Sequence, residues 1–196
     1  MAKITGYRIN MGSVNKKVAQ SRKYNREVDR IAKRRFDEAK RKLLEEFDEH
    51  PVTQELKSGP SSTNLSDTLG GYGNLFSYIG FPEGTDPTTI VRAFLEVSIR
   101  LKRSSRRGDL NVSYSVHVPS LQDFGFAKMP WEGGNSWVSG IESGISGFSY
   151  YMTKAADASR SGSAIQIDNK IRSRGSSAGV SYITKIVNKF RLRIMR

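Results

Sequence analysis

NREVDRIAKRRFDEAKRKLLEEFDE, residues 25–49, places Val28, Ile31, Ala32, Phe36, Ala39, Leu43 and Phe47 at spacings of three and four. That is the period of one helix face, so the stretch reads as a long amphipathic α-helix with its apolar stripe turned to a core. Its other faces carry Arg30, Lys33, Arg34, Arg41 and Lys42, and Asp37 stands four residues before Arg41. The last turns hold Glu45, Glu46, Asp48 and Glu49, where the helix macrodipole prefers cations. An acidic end of this kind calls for a basic partner, and a neighbouring subunit is the expected source. His50-Pro51 ends the helix, and Val52–Lys57 reads as one further turn.

Upstream, residues 1–20 hold neither a helical nor a strand period and read as an extended, mobile basic arm. Downstream, residues 58–74 (SGPSSTNLSDTLGGYGN) are turn formers with little apolar mass, a long loop. Asn74–Phe81 (NLFSYIGF) reads as a short buried strand bounded by glycine. Thr85 or Asp86, followed by Pro87, starts a helix through Ile90, Val91, Phe94 and Leu95. Alternation of Val97, Ile99 and Leu101 with polar residues, then of Val112, Tyr114, Val116 and Val118, gives an antiparallel hairpin. Its tip is basic, with Arg103, Arg106 and Arg107. After Phe124, Phe126, Pro130 and Trp131, Asn135 or Ser136 caps a short helix containing Trp137, Val138 and Ile141, leading into the apolar stretch Phe148–Met152. Residues 153–164 read as a second loop, and Ile165 and Ile167 as a strand. From Ser176 or Ser177 a last helix carries Val180, Ile183, Ile186, Val187 and Phe190. The expectation is therefore an α+β fold: long N- and C-terminal helices packed on a small, mostly antiparallel sheet, with residues 21–196 as one domain behind the arm at 1–20.

Composition narrows function. The chain has 196 residues and no cysteine, which excludes disulfides, thiolate metal sites and a cysteine nucleophile. The start lacks the apolar core of a signal peptide and no window approaches a membrane span, so a soluble protein made in a cytoplasm is expected; Asn64 and Asn111 in glycosylation-type triplets carry no weight. Net charge is +13 and unevenly spread. Residues 1–42 hold fourteen Lys/Arg against four Asp/Glu, residues 43–95 two against eight, and residues 96–196 sixteen against seven. Such a field draws polyanions or an acidic protein surface.

Catalytic and metal-binding patterns are missing from the sequence. His50 and His117 have no ligand-spaced partner and read as surface residues. Gly144-Ile-Ser146-Gly147 falls one residue short of a nucleophile elbow, and Leu69–Asn74 is neither a dinucleotide nor a phosphate loop. The acidic run at 45–49 lacks the alternating oxygens of a calcium loop. No zinc finger, RNP motif or helix-turn-helix spacing is present either, which leaves sequence-blind phosphate contact through Lys and Arg. The reading is non-enzymatic, without cofactor or metal. A hydrolase with an unrecognised serine or carboxylate site is the weakest alternative.

The order of parts, with the phrases HPVTQELKSG, NLFSYIGFPEGTDP and PWEGGNSWVSGIESGISGFSYYM, resembles the neck proteins of tailed bacteriophages, and more narrowly the tail-completion or head–tail joining proteins. The resemblance covers most of the chain from about residue 25. It implies a structural virion component with no catalytic site, arranged as a ring, a hexamer, around the DNA channel. Its partners would be copies of itself, adjoining neck, adaptor or tail-terminator subunits, and DNA in the channel, with no membrane involved. Candidate subunit or DNA contacts are Lys16, Lys17, Arg22, Lys23, Arg34, Arg35, Arg103, Arg106, Arg107, Arg191 and Arg193, and Glu45, Glu46, Asp48 and Glu49 form a candidate acidic intersubunit patch. The alternative is a free, non-specific nucleic-acid-binding protein using the same cations.

Overall fold

A computed structural model of the chain describes residues 10–69, 73–105, 110–130, 136–143 and 181–195. In chain order these form α1 (Met11–Gln20), α2 (Arg22–Asp48), α3 (Pro51–Lys57), α4 (Leu75–Ile79), α5 (Thr88–Ser98), β1 (Arg100–Arg103), β2 (Tyr114–His117), α6 (Trp137–Glu142) and α7 (Ile183–Met195). Helices dominate and a two-stranded antiparallel sheet completes an α+β fold. Several expectations lie outside the described residues: Arg106 and Arg107, Trp131 and Asn135, the apolar stretch at 148–152, the loop at 153–164, and the strand at Ile165 and Ile167.

The described residues sort into two compact units. The first takes residues up to Glu38 together with Arg100–His117; the second takes Ala39–Ile99 and the chain from Val118 onward. Helix α2 runs through both.

In the first unit, residues 11–20 are helical, not extended. Asn10 caps α1 by accepting the Ser13 amide at 3.2 Å, the local signal that the weak periodicity of the segment obscured. After the break at Ser21, the Asn25 side chain donates to the Ala19 and Ser21 carbonyls at 2.7 and 3.0 Å and so fastens the end of α1 to the start of α2. The hairpin pairs Leu101 with Val116 and Arg103 with Tyr114, and these four share its half-buried face. β1 begins only at Arg100, because Val97 and Ser98, expected in the strand, complete α5.

The second unit holds the main core. Leu43 and Phe47 of α2, Val52 and Leu56 of α3, Leu75, Phe76 and Ile79 of α4, and Val91 and Leu95 of α5 are all essentially inaccessible to solvent. Around them lie Phe124, Trp137, Val138 and Ile141, and Tyr182, Ile183, Ile186, Val187 and Phe190 from the region of α7. Burial of this many large apolar side chains is the main favourable term of the fold. The segment expected as a strand at 74–81 is the helix α4. Asn74 accepts the Ser77 amide at 2.9 Å, and Gly80 closes the helix at φ 82°, with its amide and that of Phe81 returning to the Phe76 carbonyl. Only a residue tolerant of positive φ fits there, and glycine does so at least cost.

The chain around Ser66 and the start of α4 meet a buried carboxylate. Glu55 is fully inaccessible; its Oε2 accepts the Ser66 amide at 2.8 Å and its Oε1 the Leu75 amide at 2.6 Å. The Asn74 amide group adds bonds to the carbonyls of Pro60 and Ser62 at 2.8 and 3.0 Å. Pro60, Ser62 and Ser66 are thus fastened to α3 and to the cap of α4.

His50, expected at the surface, is half-buried and caps α3, its Nδ1 accepting the Val52 amide at 3.3 Å. Its ring packs against Tyr182 at 4.8 Å between centroids. Desolvation, together with the charges of Lys185 and Lys189, pushes its pKa down to about 4. The ordinary value near 6.5 applies to the unfolded chain. A depressed folded value means that the unfolded state binds the proton first, so the stabilisation is complete above about pH 6.5 and is lost as the pH falls towards 4. Fully expressed, the shift is worth about 3 kcal/mol; the partly exposed position reduces this to about 1–2 kcal/mol. Urea midpoints between pH 7 and 5 are expected to fall accordingly in the native chain. His50→Asn, which keeps a capping acceptor without a titrating group, flattens the profile across that window; an unchanged profile would exclude His50 as its source.

Candidate polyanion-binding surface

Folding collects the positive charge. The stretches assigned to the first unit, residues 1–38 and 100–117, contain sixteen Lys/Arg against five Asp/Glu, whereas the rest of the chain contains sixteen against fourteen. Nearly all of the net charge therefore belongs to one unit of α1, the first half of α2 and the hairpin.

The first half of α2 is two-sided. Asn25, Ala32 and Phe36 face inward with Tyr24, Val28 and Asp29, while Arg22, Lys23, Arg26, Lys33, Arg34 and Arg35 are exposed. At 100° per residue, Arg22, Arg26 and Lys33 fall within one narrow stripe, and Arg30, Lys23 and Arg34 widen it on one side. From Arg22 to Arg34 the stripe runs about 18 Å, comparable with several phosphate spacings along a duplex strand. Arg30 is engaged with Glu27 through its Nε at 3.0 Å. Arg22, Lys23, Arg26, Lys33 and Arg34 carry no ion pair among the described residues. Lys16 and Lys17 on α1 are likewise exposed. Arg26 and Lys33 were not among the expected contacts. The helical projection of the stretch, drawn for its charges rather than its apolar residues, would have found both.

Arg103 is not part of this surface. Its side chain is only 14% exposed, and it donates to Asp29 at 3.0 Å and to the Asn25 side-chain oxygen at 2.7 Å. Tyr114 donates to the same Asp29 oxygen at 2.6 Å, and Tyr24 donates to the Leu110 carbonyl at 3.0 Å. Burial, then the bond to Asp29, pushes the Tyr114 pKa up to about 12 and keeps the phenol a donor. The strand register explains the correction: Arg103 lies on the inner face with Leu101, whereas Lys102 points outward. Arg103 thus holds the hairpin to α2 and leaves the surface to the helices.

Charges at the end of α2 also find partners inside the chain. Glu46 receives both arms of the Arg193 guanidinium, one at 3.1 Å, with Lys189 at 3.5 Å, and this pairing holds its carboxyl below the usual range. Asp48 takes Arg92 of α5 at 3.0 Å, and Glu45 takes Arg41 at 2.5 Å. The macrodipole penalty that suggested a neighbouring subunit is answered by α5 and α7. Arg193 is accordingly committed within the second unit, while Arg191 is exposed. Of the two histidines, His117 is exposed at the end of β2. Among the described residues no three His, Asp or Glu side chains cluster as a metal site, and no helix is long and apolar enough to cross a membrane.

Compared with protein families, curated proteins and solved structures, the chain matches none.

Proposed function

We propose that this chain is a structural, non-catalytic component of a tailed-phage neck, joining the head connector to the tail as a subunit of a ring around DNA. The observation that carries the reading is the segregation of charge: one unit is almost neutral with a large apolar core, and the other is strongly basic with exposed cations on α1 and the first half of α2. A ring subunit needs both, a rigid body for its neighbours and a face that neutralises phosphate without reading sequence. The α2 stripe of Arg22, Arg26, Lys33 and Arg34 is assigned to the DNA side.

Immunogold labelling and mass spectrometry of purified particles test the proposal. The chain is expected at the head–tail junction, and particles grown without it are expected as filled heads separate from tails. Normally joined, infectious particles lacking the chain would overturn it. The second reading, a free nucleic-acid-binding protein, draws on the same exposed cations. It requires the chain to be absent from particles and to bind linear duplex as a monomer with steep salt dependence.

A further inference from the structure

Two helices of this chain carry exposed apolar stripes of the same pattern. On α1, Met11, Val14 and Val18 stand at i, i+3 and i+7, with exposures of 62%, 39% and 40%, and among the residues of this helix only Ala19 is buried. On α5, Ile90, Ala93 and Val97 stand at the same spacing; Ile90 and Val97 are 54% and 60% exposed, and Ala93 is exposed too. Each stripe is about 10 Å long, so the two match in length and both have a small side chain, Val14 or Ala93, at the centre.

Their surroundings have opposite charge. Lys16 and Lys17 are the charged residues of α1, and Arg22 and Lys23 follow it. The α5 stripe is approached by Glu83 and Asp86, both exposed, and flanked by Glu96 on its outer side; Arg92 is turned to Asp48 and Glu96. Exposed apolar stripes on both helices can serve for docking, and opposite charge favours one as the mate of the other.

We infer that α1 of one copy packs on α5 of a second copy, apolar stripe to apolar stripe, with the lysine-bearing end of α1 beside the acidic entrance of α5. The arrangement is antiparallel: Val18 lies near Ile90, Val14 against Ala93, and Met11 near Val97. Ridges at i+3 and i+4 on two such helices interlock at the usual interaxial distance of about 8–10 Å, and small residues at the centre permit it. Because the two surfaces differ, the contact is heterologous. It propagates head to tail and closes into a ring when the rotation per copy is right, instead of stopping at a twofold dimer. The inference rests on the ring reading above and names the contact that builds the ring.

The absence of cysteine makes trapping clean. Full-length Val14→Cys and Ala93→Cys chains, each substituted at an exposed position, are mixed under mild oxidation and followed by non-reducing electrophoresis. The mixed disulfide is expected to form at least about tenfold faster than either self-pair, since only juxtaposed Cβ atoms about 4 Å apart close without strain. Val18→Asp in the first chain is expected to abolish the preference. A mixed product no faster than the self-pairs overturns the inference, and so does co-sedimentation of α1 with anionic vesicles, abolished by Val18→Asp, in place of cross-linking. Failure here with labelling still at the head–tail junction sinks only this contact; loss of the junction label sinks the neck reading itself.

Discussion

Glu55→Ala lowers the stability of the second unit by about 3 kcal/mol and frees the chain around Ser66 before the rest of the fold. The carboxylate is fully buried, and both of its oxygens are occupied by backbone amides, those of Ser66 and Leu75. Deleting it leaves two donors without acceptors in a place water does not reach, at about 1–3 kcal/mol each, and opens a small cavity. Some of the loss is recovered because the chain around Ser66 can then turn its amide to solvent. Glu55→Gln is milder, about 1–2 kcal/mol, since its amide keeps one acceptor for two donors. Urea denaturation gives the totals, and hydrogen exchange at the Ser66 and Leu75 amides gives the order of events. An alanine variant within about 0.5 kcal/mol of the native chain would mean that the bonds are made equally well without the side chain.

The second large effect concerns the α2 stripe. Replacing Arg22, Arg26, Lys33 and Arg34 together by glutamine is expected to weaken binding to duplex DNA about 100-fold at low salt. It should also reduce the slope of log affinity against log salt by about 3.6, because each of the four phosphate contacts contributes about 0.9 to that slope. Glutamine preserves helix propensity, and all four positions are exposed, so circular dichroism and melting temperature should hardly change. Replacing Arg103 instead should leave the salt slope intact and lower stability, because its guanidinium is spent on Asp29 and Asn25. An unaltered slope in the quadruple variant would remove α2 from the DNA side.

What the sequence revealed depended on whether local pattern and tertiary demand agreed. In α2 they did: Phe36, Ala39, Leu43 and Phe47 recur at helical spacing and all four are buried. The same agreement fixed Ile183, Ile186, Val187 and Phe190 of α7, and the alternation in the hairpin. In α4 the apolar run was too short to separate the two periods, and Asn74 with Gly80, an N-cap and a left-handed C-terminal residue, was the better signal. The helix α1 was not read, because Met11, Val14 and Val18 are too few to sustain a period and face no core. Three contacts were beyond any local reading: Glu55 with Leu75, Arg193 with Glu46, and Arg103 with Asp29. Each joins residues far apart in sequence, and charge alone could not say whether a cation would meet phosphate, a neighbour or its own chain. For that reason charge alone did not separate the cations of α1 and α2, which are exposed, from Arg103 and Arg193, which turn to partners in their own chain.

The bond between Thr53 and Tyr182, 2.6 Å long and wholly buried, bears on how the protein comes into being. It joins positions 129 residues apart, and Phe47, stacked on the same tyrosine, stays uncovered until that late segment emerges from the ribosome. Closing so long a loop is entropically slow, and its reward comes only when Ile183, Ile186 and Phe190 dock. A nascent chain halted before residue 181 is therefore expected to leave Phe47 uncovered and to be cleaved by protease more readily than one that includes Tyr182–Phe190.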